Sequence, residues 1–116
     1  MDVTLYAKAI SNLLGNNVGF SVEGVDYSSF KINGNKDKPS ETAIAEEVAR
    51  LTNVNALADM RTKRDRLLSE SDWTQSRDVT LSDDNDWKTY RQALRDLPSG
   101  KTTKAHVDAA TWPTKP

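Results

Sequence analysis

Hydrophobic positions in the first third of the chain follow two different periods. Apolar side chains recur every three or four residues in segment 4–14, which predicts a short amphipathic helix that ends at Gly15. Two later segments, 19–23 and 28–32, alternate apolar and polar residues as half-buried strands do. The turn residues 24–27 between these segments predict an antiparallel β-hairpin.

The middle of the chain carries the longest helical pattern. Ser40 can cap a helix there, because a serine hydroxyl accepts a hydrogen bond from a backbone N–H of the first turn. Apolar residues at helical spacing continue from this cap to Ser69. The run 53–55 leaves open whether the segment is one helix or two, since Asn55 could cap a second helix. In either case, segment 40–69 is the expected dominant element.

A further amphipathic helix is predicted after an ordered loop over residues 70–82. Ser82 is the expected cap, and Asp83 and Asp84 fall in the first turn, where the helix dipole favours negative charge. The expected apolar face consists of Trp87, Tyr90, Leu94 and Leu97. The turn-forming run 97–100 ends this helix, and a polar segment follows.

The two C-terminal helices are expected to pack together as a helical hairpin with Asp72 and Trp73 at its bend. Their apolar contacts would join Leu67 and Leu68 to Trp87 and Leu94. Opposite charges that could tie the two helices together are Arg64, Asp65, Arg91 and Asp96.

The predicted fold class is α+β, mainly helical, with a C-terminal helical hairpin and a small N-terminal antiparallel β-hairpin. We expect three parts: residues 1–39 form the N-terminal helix and β-hairpin unit, residues 40–100 form the helical module, and residues 101–116 form an extended tail. A two-stranded hairpin by itself is only marginally stable in water, so it must pack against a helix or another chain.

Composition changes the picture by excluding function classes. The 16 lysines and arginines nearly balance the 17 aspartates and glutamates, which argues against a sequence-independent nucleic-acid binder. No cysteine is present, so disulfides, thiolate nucleophiles and cysteine-type zinc sites are excluded. No apolar run approaches the roughly 18 residues that span a bilayer. The first residues lack the basic region of a signal peptide, so we expect a cytoplasmic protein.

The hydrophobic fraction is 36%, which is low for a globular chain. Few apolar side chains are therefore available for a core. We expect a thin core that a binding partner completes, or a folded middle with loosely held ends.

Acidic residues cluster between Asp72 and Asp86. A glycosidase needs two carboxyls that face each other across a fixed gap, whereas Asp83 and Asp84 are already explained by their place at a helix start. The run 83–86 also lacks the spacing of a calcium-binding loop. A carboxylate-based hydrolase acting on glycans is the weakest of the function hypotheses.

Other residues offer little chemistry. His106 is the single histidine, and a zinc site needs three or four converging ligands, so a solvated tail residue is expected. The basic residues in segment 61–66 could suggest RNA binding, but acidic residues in the same stretch can pair with them. We therefore predict no catalytic, cofactor-binding or metal-binding residues.

The three tryptophans, Trp73, Trp87 and Trp112, all lie in the C-terminal half. Large aromatic side chains fill cores, and they also anchor protein interfaces. The helical stripe around Trp87 favours the core. For Trp112, which a proline follows, both interpretations remain open.

Short sequence motifs from residue 61 onward resemble those of one protein family. In order, they are Arg61-Thr-Lys-Arg-Asp-Arg-Leu-Leu68, Ser71-Asp-Trp-Thr-Gln75, Asp78, Trp87, Tyr90-Arg-Gln-Ala-Leu-Arg-Asp96 and a final Trp112-Pro113. Their order and spacing resemble the bacteriophage tail assembly chaperone family over about half of the chain.

The resemblance implies a non-enzymatic phage protein without a cofactor that binds a tail-fibre or other tail protein during virion assembly. It implies action in the host cytoplasm, with neither nucleic acid nor a membrane as partner, and homo- or hetero-oligomers both remain open. The alternative is a permanent structural component attached to the tail fibre or baseplate, which would place the protein in the virion tail.

Two sets of site residues follow from the pattern and the resemblance together. The expected partner-binding residues are Trp73, Trp87, Tyr90, Arg91, Trp112 and Pro113. The expected structural residues, which would hold the helical module together, are Arg64, Asp65, Leu67, Leu68, Asp72 and Leu94. The N-terminal β-hairpin and the tail around Trp112 are expected to engage the partner.

Overall fold

A computed structural model describes residues 2–34 and 36–116 and shows an α+β chain. Its elements are, in order, α1 (Val3–Leu14), β1 (Phe20–Glu23), β2 (Asp26–Ile32), α2 (Glu41–Ser71), a 3₁₀ turn (Asp72–Gln75), α3 (Asp84–Asp96) and α4 (Lys104–Asp108). Contacts divide the chain into an N-terminal unit, Met1–Thr52, and a C-terminal unit, Asn53–Pro116. The division falls inside α2, so one helix contributes to both units.

Helix α1 confirms the first predicted helix. The side chain of Asp2 caps it by accepting hydrogen bonds from the backbone N–H groups of Thr4 (2.8 Å) and Leu5 (3.2 Å). Gly15, with a φ of 84°, ends it in a conformation that residues with a side chain rarely adopt. The buried face consists of Tyr6, Ala9, Ile10 and Leu14, which follows the predicted helical spacing.

Strands β1 and β2 confirm the predicted antiparallel hairpin. Its turn is shorter than expected, because β2 begins at Asp26 and leaves only two central residues. Gly24 is the first of these and has a φ of 55°, as a type II′ turn requires. The register shifts between Ser21 and Glu23, where the side chain of Ser29 takes part in place of a regular backbone pair. Its hydroxyl accepts from the N–H of Glu23 (2.8 Å) and donates to the carbonyl of Asp26 (2.6 Å).

The core of the N-terminal unit lies between α1, the hairpin and the first turns of α2. Its buried residues are Tyr6, Ala9, Ile10, Leu14, Phe30, Ile44, Val48 and Leu51. The hydroxyl of Tyr6 is buried there and has no hydrogen-bond partner in the described part of the chain. Burial, aided by the charge of Glu41, raises the pKa of Tyr6 above its ordinary value, so the phenol stays protonated.

A polar contact links α1 to α2 at the edge of this core. The carboxylate of Glu47 accepts hydrogen bonds from Arg50 on the same helix and from Asn12 on α1 (3.3 Å). The hydrogen bond from the Arg50 guanidinium holds the pKa of Glu47 below its usual value, and the carboxylate in turn raises the pKa of Arg50.

Helix α2 settles whether segment 40–69 forms one helix or two. It is a single helix of 31 residues, and Ser40 caps it as predicted by accepting from the N–H of Ala43 (3.0 Å). Asn53 does not break it. Its side-chain Oδ1 instead accepts from the backbone N–H of Lys104 (2.9 Å), at the first turn of α4. The sequence suggested that Asn53 could interrupt α2. Its side chain instead caps α4.

Three expectations for the C-terminal half differ from the structure. The C-terminal helical hairpin is not confirmed; the long central helix α2 dominates, as expected for segment 40–69. Loop 70–82 starts later than predicted, since α2 continues to Ser71 and a 3₁₀ turn follows it. Ser82 is not the cap of α3: Asp83 holds that position, without a side-chain cap bond, and the negative charges of the first turn come from Asp84 and Asp86.

The tail also differs from the expected extended segment, because it contains the five-residue helix α4. Thr103 caps this helix by accepting from the N–H of His106 (3.2 Å). The ring Nδ1 of His106 accepts from the N–H of Thr102 (3.1 Å), so the exposed histidine takes part in a local turn. No helix among residues 2–34 and 36–116 combines the length and the apolar character needed to cross a membrane.

Candidate protein-interaction site

Arg91 ties α3 to the end of α2. Its guanidinium, only 14% exposed, donates to the carbonyl of Leu68 (2.7 Å), to the hydroxyl of Ser71 (2.7 Å) and to the carboxylate of Asp72 (2.8 Å). The last carbonyls of a helix have no partners within that helix, and a positive charge there is favoured by the helix dipole. The last turn of α2 contains no basic residue, so α3 supplies the cation from outside.

Buried hydroxyls complete this junction. Ser71 is 3% exposed and donates to the carbonyl of Leu68 (3.0 Å), while Thr74 is 1% exposed and donates to the carbonyl of Ser71 (2.7 Å). Gln75 donates in turn to the hydroxyl of Thr74 (3.1 Å). Every one of these polar groups is paired, so the bend after α2 is fixed in place rather than loosely hinged.

Three aromatic rings form a row beside this junction. Trp73 and Trp87 meet edge to face with ring centres 5.8 Å apart, and Trp87 lies 5.9 Å from the ring of Tyr90. Trp87 and Tyr90 are each 6% exposed, whereas Trp73 is 53% exposed. Trp73 therefore presents a large apolar surface to solvent while its inner edge rests on a buried ring. We call Trp73, Trp87 and Tyr90 the aromatic row.

The residues expected to hold the helical module together take different partners from those suggested by sequence. Arg64 pairs with its neighbour Asp65 (2.9 Å), within α2, and Asp96 accepts from Gln92 within α3 (2.9 Å). Of the expected charges, Arg91 does link α3 to the end of α2, but through Leu68, Ser71 and Asp72. Leu94 is fully buried, and Leu67 and Leu68 are half-buried.

The final residues fold back within the C-terminal unit. Trp112 and Pro113 are half-buried. The ammonium of Lys63, on α2, lies 4.2 Å from the ring centre of Trp112, and that of Lys115 lies 6.0 Å from the ring centre of Trp87. Trp112 thus rests against its own chain through a lysine.

Sequence reasoning named Arg91 and Asp72 but missed their partners. The backbone carbonyl of Leu68 carries no sequence signal, and the burial of Ser71 and Thr74 depends on where α2 ends. The contact between Lys63 and the ring of Trp112 could not be predicted either, because the two residues are far apart in the chain. The one available signal was the absence of a basic residue in the last turn of the long helix.

The acidic side chains of this unit do not form a metal centre. Within residues 2–34 and 36–116, no three His, Asp or Glu side chains come together as metal ligands would. Asp84 pairs with Lys88 (2.9 Å) along α3, and Asp72 pairs with Arg91. These carboxylates thus take part in ordinary ion pairs.

Comparison with known proteins points to the same half of the chain. A family model described as phage tail assembly chaperone protein matches residues 57–116, which include the aromatic row, the Arg91 junction and the final Trp112. No curated protein and no solved structure matches the chain. The match covers slightly more than half of the sequence, and the chain therefore belongs to the phage tail assembly chaperone family.

Proposed function

We propose that this chain binds a tail-fibre protein of its phage during virion assembly, in the host cell, and that Trp73 is the main contact residue. The family places the chain in phage tail assembly. The fibre protein as client and the contact surface are the further steps of the proposal. A folding fibre trimer transiently exposes apolar surface and strand edges, which a small binding protein can cover.

The observation that carries the proposal is the half-exposed Trp73 on a fixed support. Tryptophan is enriched among residues that dominate binding energy at protein interfaces. Trp73 pays little conformational entropy on binding, because Trp87 and the paired hydroxyls around the 3₁₀ turn already hold its position. Trp87 and Tyr90, which are buried, then support the ring of Trp73 and do not contact the client. Arg91 contributes indirectly, because its bond to Asp72 helps to hold the 3₁₀ turn that carries Trp73.

The β-hairpin offers a second contact in the N-terminal unit. Its sheet has two strands, so each strand has one edge that pairs with no other strand in the described chain. An extended segment of a fibre protein can add to such an edge through backbone hydrogen bonds. The hairpin would add affinity, while Trp73 supplies the anchor.

Replacing Trp73 by alanine is expected to weaken binding of the fibre protein at least about tenfold, as loss of an interface anchor does. Val54→Ala is the matched control, because Val54 is 48% exposed in the same unit and lies outside the aromatic row. The measurement is recovery of phage proteins on tagged chains purified from infected cells, identified by mass spectrometry. Equal recovery by the Trp73 and Val54 variants would remove Trp73 from the contact surface.

Mass spectrometry of purified virions separates the proposal from the alternative of a permanent tail component. A chaperone leaves after assembly, so the chain should be absent from finished particles. Stoichiometric presence in every particle would instead support a structural role on the fibre or baseplate.

A further inference from the structure

The chain leaves the β-hairpin through the pair Asn33 and Gly34, directly after β2. Both residues are exposed, and Gly34 has a φ of 111°, which residues with a side chain rarely adopt. Within the described residues, no atom beyond its chain neighbours lies within 4 Å of the place that a Cβ would take on Gly34. The backbone at this pair is therefore open to solvent.

An asparagine followed by glycine can react with its own backbone. The backbone nitrogen of the following residue can attack the carbonyl carbon of the asparagine side chain, because the two atoms are placed to close a succinimide ring. A side chain on the following residue crowds this attack, and a helix opposes it by holding the backbone nitrogen in a hydrogen bond. Asparagine is accordingly among the thermolabile residues of proteins.

Asn33 is the one asparagine of the chain that a glycine follows. The asparagines that lie within helices are Asn12, Asn53, Asn55 and Asn85. Asn16 and Asn17 are exposed in the turn after α1, but each is followed by a residue with a side chain. Asn33 alone among these described asparagines combines exposure, a position outside helix and strand, and a following glycine.

We propose that Asn33 is a site of spontaneous deamidation and that its isoaspartate product loosens the open end of the hairpin. The backbone nitrogen of Gly34 loses its proton to base and attacks the side-chain carbonyl carbon of Asn33. The new C–N bond closes the succinimide ring, and the side-chain nitrogen leaves as ammonia. Water then opens the ring at either carbonyl and yields aspartate or isoaspartate. The net reaction converts an amide and water into a carboxylate and ammonium.

The reaction changes the end of the pairing between β1 and β2. The N–H of Asn33 donates to the carbonyl of Gly19 (2.8 Å), and the side-chain nitrogen of Asn33 lies 3.1 Å from the place that a Cβ would take on Gly19. Isoaspartate draws the side-chain carbons into the main chain, so the amide beside Gly19 is lost and the backbone lengthens directly after the hydrogen bond. This inference needs no binding partner and is independent of the proposed function.

The test incubates the full chain in warm, mildly alkaline buffer and follows its tryptic peptides by mass spectrometry. Trypsin releases residues 32–36 as one peptide, so fragment ions must place the change on Asn33 rather than on Asn35. We expect the mass increase that replacement of NH₂ by OH produces, together with isoaspartate, which direct hydrolysis of the amide does not form. Asn16 and Asn17 should stay unchanged while Asn33 converts. A sample digested before incubation corrects for conversion during digestion.

Two variants test the structural requirements. Asn33→Gln keeps an amide at this position but needs a larger ring, so conversion should be lost. Asn17→Gly places a glycine after Asn16 at a position whose φ of 66° suits glycine. A second converting site should then appear at Asn16.

Hydrogen exchange measured by NMR on the converted chain tests the effect on the hairpin. The amide of residue 33 should exchange faster than in the unconverted chain, because its hydrogen bond to Gly19 opens more often. Unchanged exchange would overturn the loosening of the hairpin. An Asn33 that stays intact in the full chain, while a free peptide of residues 32–36 converts, would overturn the site itself. Conversion without isoaspartate would overturn the ring mechanism.

Discussion

Replacing Trp87 by alanine is expected to lower the free energy of unfolding by about 3–5 kcal/mol, the usual cost of truncating a buried tryptophan. The side chain is 6% exposed and contacts the rings of both Trp73 and Tyr90. Its removal leaves a cavity in the C-terminal unit and takes away the support beneath Trp73. Urea denaturation followed by circular dichroism measures the change.

Trp73→Ala is the matched control, since it removes the other tryptophan of the same pair. Trp73 is 53% exposed, so its loss should cost no more than about 1 kcal/mol. The two variants therefore distinguish a structural role from a binding role. The Trp87 change should lower stability, and the Trp73 change should weaken binding of the client. A Trp87 variant of unchanged stability would contradict the assignment of Trp87 to the core.

Arg91→Ala is expected to lower the free energy of unfolding by about 2–3 kcal/mol, because a poorly exposed charged donor leaves several acceptors without a partner. The guanidinium bonds the carbonyl of Leu68, the hydroxyl of Ser71 and the carboxylate of Asp72. The last turn of α2 should fray, and hydrogen exchange of the amides around Ser71 should accelerate. Exchange measured by mass spectrometry reports this directly.

Arg95→Ala is the control on the same helix, since Arg95 is exposed and bonds the side chain of Gln92. It should change stability by less than about 0.5 kcal/mol. Asp72→Asn should also cost little, about 1 kcal/mol or less, because the Asp72 carboxylate is 66% exposed. If Asp72→Asn matched Arg91→Ala, the ion pair rather than the helix-end carbonyl would dominate the junction.

Local patterns in the sequence predicted the N-terminal half well. The helical spacing of α1, the alternation of β1 and β2 and the cap at Ser40 each depend on residues within a few positions of one another. Such signals need no knowledge of the rest of the fold. The shorter hairpin turn was not predicted. The register shift between Ser21 and Glu23 involves a hydrogen bond from the N–H of Glu23 to the side chain of Ser29, and the alternation of apolar and polar residues does not reveal such a bond.

The C-terminal half depends more on distant contacts, and prediction was weaker there. Asn53 resembled a break, but its side chain caps a helix 51 residues later. Ser82 resembled a cap, but α3 starts after Asp83, which makes no side-chain cap bond, so side-chain capping does not fix the start of this helix. Arg91 was named as an interhelical charge, yet its main acceptors are a backbone carbonyl and a buried hydroxyl. Burial of Trp87 and exposure of Trp73 likewise follow from the position of the 3₁₀ turn.

The most direct test of assembly by protein contact is co-expression with the tail-fibre protein of the phage that encodes this chain. The yield of soluble fibre trimer, measured by size-exclusion chromatography with light scattering, should rise several-fold with the natural chain. It should fall back to the level of the fibre protein alone with Trp73→Ala. A trimer yield that is the same with and without the chain would contradict the proposed role in fibre assembly.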